Sequence, residues 1–61
     1  MGQPSRKQVS ACNDMLLGTG DILDTTGLKP GAYELIMEFS VGNYVCDVEA
    51  DGSVTYFEKL R

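Results

Sequence analysis

From residue 33 onward apolar and polar positions alternate with a period of two, in three runs separated by turn sequences. Tyr33, Leu35, Met37 and Phe39 fall on one side of the first run, with Glu34, Ile36, Glu38 and Ser40 on the other. That is the pattern of a strand buried on one face. In the second run Tyr44, Cys46, Val48 and Ala50 oppose Val45, Asp47 and Glu49; in the third, Val54 and Tyr56 alternate with Thr55 and Phe57.

The intervening turns test whether these faces meet. Gly42-Asn43 as a two-residue hairpin loop places glycine where a type II′ turn needs positive φ, and sets Phe39 opposite Cys46, Met37 opposite Val48 and Leu35 opposite Ala50. For the next turn a two-residue Asp51-Gly52 loop would scatter the apolar residues over both faces. A three-residue loop, Ala50-Asp51-Gly52 with Gly52 left-handed, pairs Val48 with Val54 and Cys46 with Tyr56 instead. The prediction is a three-stranded antiparallel β-meander, order 1-2-3. Its core face comprises Tyr33, Leu35, Met37, Phe39, Val41, Tyr44, Cys46, Val48, Val54 and Tyr56.

Ahead of the sheet, Ser5 followed three residues later by Gln8 has the form of a capping box. Val9, Cys12, Met15 and Leu16 then recur at helical spacing, and Gly18 is placed to close the helix in the left-handed conformation. A helix over Arg6 to Leu17 would lie across the apolar sheet face. Thr19 to Gly27 fits either a short helical turn capped by Asp21 or a short strand, with the helical turn favoured, and Pro30-Gly31 fits a type II turn. The chain is thus expected to be one small α+β domain: a frayed terminus (1–4), a helix (5–18), a connector (19–31) and the meander (32–60).

At 61 residues, such a fold buries only about 60% of the surface of its unfolded chain, so a staple or a partner subunit is expected. The cysteines offer one staple. Cys12 and Cys46 fall on the helix and sheet faces predicted to meet, which makes a bridge geometrically feasible, although two cysteines without a secretory signal are more usually buried thiols. No apolar segment follows the basic pair Arg6-Lys7 and no run approaches transmembrane length, so a cytoplasmic setting is expected.

The net charge of −4 is uneven. Acidic and basic residues cancel over residues 1–30, whereas Glu34, Glu38, Asp47, Glu49, Asp51 and Glu58 face only Lys59 and Arg61 in the second half. Direct nucleic-acid binding, which needs clustered lysine and arginine, is disfavoured, and a basic protein surface is the better match. The chain has no histidine, which removes the commonest general base and metal ligand. Asp21 and Asp24 lack the ligand spacing of a calcium loop, and one helix on three strands offers no concave pocket. The expectation is therefore a non-enzyme without cofactor or metal.

In the predicted register Glu38 sits opposite Asp47, and Glu34, Ile36, Glu38, Val45, Asp47, Glu49 and Phe57 form one acidic face with apolar residues set among the carboxylates. The reading is a small acidic protein-binding module that presents this face to a basic patch, for instance an inhibitor or decoy of a nucleic-acid-handling enzyme of phage or mobile-element type. A homodimer is expected in either case. The alternative is a structural subunit acting through self-association of sheet edges.

Overall fold

The computed structural model describes residues 2–61. Of the segment expected to fray, Met1 lies outside the described residues, and Gly2 packs against the Tyr33 hydroxyl. The element order is α1 (Arg6–Asp14), β1 (Asp21–Lys29), β2 (Ala32–Phe39), β3 (Gly42–Val48) and β4 (Val54–Lys59). The strands form one antiparallel sheet in the order β1-β2-β3-β4. The α+β meander expected from the sequence is present, with four strands in place of three.

The capping box forms. Ser5 Oγ accepts from the Gln8 N–H at 3.1 Å, and Gln8 Oε1 accepts from the Ser5 N–H at 2.8 Å. The end of the helix differs from expectation: α1 stops at Asp14, and the left-handed residue that follows is Leu17 (φ 52°) rather than Gly18. Leu17 N–H donates to Asp14 O and Gly18 N–H to Asn13 O, both at 3.2 Å, so the closing bonds themselves place the reversal one residue early. A leucine in this conformation costs roughly 1–2 kcal/mol.

The added strand is β1, which occupies the stretch expected to be a helical turn. Pro30-Gly31 does form the predicted turn, with Gly31 at φ 82°, but the turn is a two-residue hairpin loop that sets Lys29 opposite Ala32. It folds Asp21–Lys29 back along β2 as an edge strand. Between β2 and β3 the pairing is Tyr33 with Val48, Leu35 with Cys46, Met37 with Tyr44 and Phe39 with Gly42. Ser40-Val41 is therefore the loop, two residues earlier than predicted. A shift of two preserves every face, because side chains alternate with a period of two. Val41 nonetheless moves from the expected core into the exposed turn.

The last hairpin has the predicted three-residue loop, with Gly52 at φ 92°, Glu49 N–H donating to Ser53 O at 2.8 Å, and Val48 opposite Val54. A further irregularity between Asp47 and Val48 then leaves Thr55 without a partner, so Asp47 meets Tyr56 and Cys46 meets Phe57. The one-residue slip exchanges the two aromatics. Phe57, expected on the acidic face, packs in the core against Phe39 and stacks on Tyr44 with ring centroids 5.0 Å apart; Tyr56, expected in the core, is exposed.

The core is centred on Cys12, Leu35, Met37, Phe39, Cys46 and Val48, with Val9, Ala11, Leu16, Tyr33, Tyr44, Val54 and Phe57 packed around it. Cys12 and Cys46 form a disulfide that fastens α1 to the middle of β3, which decides between the bridge and the buried thiols. A second fastening is Gln8, whose buried amide donates to Gly31 O at 2.7 Å and to Glu49 O at 2.9 Å. One side chain thus caps the helix and satisfies two carbonyls at the end of the sheet. At the other end of α1, Asn13 Oδ1 accepts from the Gly20 N–H at 3.0 Å and orients the chain entering β1.

Candidate protein-binding face

Among the described residues, α1 lies on one side of the sheet and no layer covers the other. The pairings lay out this open face in rows across the strands. Asp21, Glu38 and Asn43 form one row; Asp24, Ile36, Val45 and Glu58 the next; then Thr26, Glu34, Asp47 and Tyr56; and finally Lys29 and Ala32, with Glu49 just past the end of β3 joined to them through Lys29. All of the acidic residues of the chain except Asp14 and Asp51 lie on it. Among the described strand residues, Lys29 is the one cation that the register places there, and it is held by Glu49, with Nζ 3.0 Å from Oε1. That ion pair spans the buried Ala32.

Six of the seven residues expected at this face are on it: Glu34, Ile36, Glu38, Val45, Asp47 and Glu49. Phe57 is not, for the reason given above, and Tyr56 is the aromatic side chain that takes its place. Asp21 and Asp24 join the face because β1 is a strand, and Glu58 because the slip in β4 turns it outward. The expected contact of Glu38 with Asp47 is replaced by Glu34 opposite Asp47, with Glu38 opposite Asn43. In the middle, Val45 is only 6% exposed beside the half-buried Ile36, so an apolar floor lies beneath the carboxylates.

Directly opposed carboxylates repel. Hydrogen bonding to Asp47, followed by charge repulsion from it, raises the Glu34 carboxyl above its ordinary value of 4.5. Asp47 Oδ1 is buried and has no hydrogen-bond donor among the described residues. The Tyr56 hydroxyl donates to Glu58 Oε1, which holds that phenol above its ordinary range. Away from this face, the Ser53 N–H bond to Asp51, at 2.8 Å, keeps the Asp51 carboxyl below its ordinary 3.8.

The Glu34 and Asp51 shifts act on stability in opposite senses as pH falls. A carboxyl whose pKa is raised on folding binds its proton more tightly in the folded state, so the Glu34 contribution grows as pH falls from neutral through that raised value and levels off below 4.5. Asp51 acts in the opposite sense, its contribution being lost as pH falls from 3.8 through its lowered value. Melting temperatures followed by circular dichroism are expected to rise from pH 7.5 towards pH ~5 and to fall below pH ~3.5, and Glu34→Gln should flatten the rise while leaving the acid-side fall unchanged. A wild-type curve that falls steadily from pH 7.5 would contradict the assignment.

A groove of about 610 Å³ opens beside the β1–β2 turn, between Thr25, Leu28, Pro30 and Tyr33, where the sequence suggested no concavity. Among the described residues, Lys29 and Tyr33 are the titratable ones that line it, and no carboxylate does. No helix among the described residues is long and apolar enough to cross a membrane. Compared with known proteins, the chain matches no family model, no curated protein and no solved structure.

Proposed function

We propose that the chain is a non-enzymatic binding protein whose open sheet face engages a basic patch on another protein. The observation that supports this is the segregation of charge: nearly every carboxylate lies on the one sheet face that α1 leaves uncovered, around the apolar pair Ile36 and Val45. Like charges set side by side weaken a sheet. An arginine or lysine brought between Glu34 and Asp47 would relieve that repulsion and give Asp47 Oδ1 the donor it lacks. Partners of this chemistry include enzymes that handle nucleic acids, whose basic clefts an acidic decoy would fill.

The setting bears on the Cys12–Cys46 bond. Disulfides persist in oxidising compartments and are uncommon in the cytosol, so the cytoplasmic setting read from the sequence requires this bond, with both sulfurs buried, to withstand glutathione.

The test starts from the partner captured on the wild-type chain and identified by mass spectrometry. Glu38→Lys combined with Asp47→Lys is expected to leave the circular dichroism spectrum intact and to slow association with that partner by roughly tenfold or more at low salt, an effect that fades as salt rises. Tyr56→Ala should mainly speed dissociation. Unchanged rates in these variants, together with loss of binding in Lys7→Glu or Asp14→Lys, would move the interface to the helix and overturn the reading.

A further inference from the structure

We propose that two copies of the chain associate through β1, pairing antiparallel about a two-fold axis at Thr25 to form one continuous eight-stranded sheet. The inference does not rest on the acidic-face reading. β1 is an outer strand of the sheet, and all nine of its residues are exposed, including Ile22, Leu23 and Leu28. A long, exposed edge carrying apolar side chains is a template for another strand.

The register follows from the strand itself. Paired residues of an antiparallel ladder point to the same side of a sheet. The irregularities in β1 fall at Leu23 and Leu28, so Asp21, Asp24, Thr26 and Lys29 share the acidic face while Ile22, Thr25 and Gly27 share the helix-bearing face. A two-fold at Asp24 would set Ile22 against Thr26, which belong to opposite faces. A two-fold at Thr26 would run Ile22 against Pro30 in the turn and leave Asp21 beyond the strand. Centring on Thr25 respects both faces, because the irregularities lie on either side of it. Asp21 then meets Lys29 of the second copy, Lys29 meets its Asp21, and Ile22 lies beside its Leu28.

The other edge offers no such match. In β4, Glu58 and Lys59 are neighbours on opposite faces, so no register that preserves the faces can set one against the other. Complementary charge at both ends of an exposed strand, with apolar residues inside them, singles out a second copy of the same strand as the occupant.

Sedimentation equilibrium and native mass spectrometry of the disulfide-bonded chain test this without any other protein. The wild type is expected to dimerise at micromolar concentration. Asp21→Lys alone and Lys29→Asp alone each turn two ion pairs into two like-charge contacts, and each should weaken the homodimer roughly tenfold. An equimolar mixture of the two variants should recover wild-type affinity as the heterodimer, and the double variant carrying both changes should recover it as a homodimer. Circular dichroism separates these effects from any loss of fold caused by breaking the Lys29 contact with Glu49. A wild type that stays monomeric at hundreds of micromolar overturns the proposal. So does a dimer that neither single substitution weakens, or a mixture that shows no preference for the heterodimer.

Discussion

Replacing both Cys12 and Cys46 with alanine is expected to lower the melting temperature by roughly 15–30 °C. The bond joins residues 34 apart in sequence. Opening a loop of that length frees about 3–4 kcal/mol of chain entropy in the unfolded state on the loop-closure account, and 1 kcal/mol moves the midpoint of a domain this small by roughly 4–8 °C. Alanine is the informative replacement because both sulfurs are buried, and it leaves no lone thiol to react. The loss is large beside the few kcal/mol that a single core of this size supplies. It should also fall unevenly, since α1 is fastened to the sheet by this bond, by Gln8 at one end and by the Asn13–Gly20 contact at the other. Near-ultraviolet signals from Tyr44 and the aromatic cluster should therefore weaken at temperatures where the sheet signal persists. A double variant melting within about 3 °C of the wild type would show that the bond carries none of the stability.

Val48→Asp is expected to abolish cooperative unfolding at 25 °C, an effect above about 4 kcal/mol. Val48 has no exposed surface, lies between Tyr33 and Val54 in the neighbouring strands, and packs in the cluster with Cys12 and Leu35. A carboxylate there has neither water nor a cation. Val45→Asp is the control, because Val45 is nearly as well covered but belongs to the open face, where a carboxylate can turn towards water; a loss of about 1–2 kcal/mol is expected from the lost apolar contact and the added repulsion. Thermal melts of the two variants side by side decide between the faces. A greater loss for Val45→Asp would invert the sheet.

Much of this arrangement could be read from the residues, and the failures have specific causes. The capping box at Ser5 and Gln8 is a local device and was legible as such, whereas the bonds from Gln8 to Gly31 and Glu49 join it to residues 23 and 41 positions away, and nothing local announces them. The faces of β2 and β3 survived a misplaced turn because the error was an even number of residues. In β4 the error was one residue. Tyr56 and Phe57 are both aromatic, and no glycine marks the unpaired Thr55, so alternation alone could not say which ring goes inward. The short-strand reading of β1 ranked below the helical turn because burial writes the alternating pattern, and none of its nine residues is buried. For the candidate face, alternation placed Glu34, Glu38, Asp47 and Glu49 together on the side away from the helix, and the carboxylates of β1 came to light only with the strand.

The exposure of β1 along its whole length also bears on how this sequence can change over generations. The core constrains its own residues, since almost any substitution at Leu35, Met37 or Val48 leaves a cavity or a clash. It makes no such demand on Asp21–Lys29, where a strand need only stay extended and soluble. Drift in this stretch can alter charge, apolar content and edge chemistry without passing through an unfolded intermediate genotype. β1 is therefore the part of the chain on which selection by external contacts can act most freely.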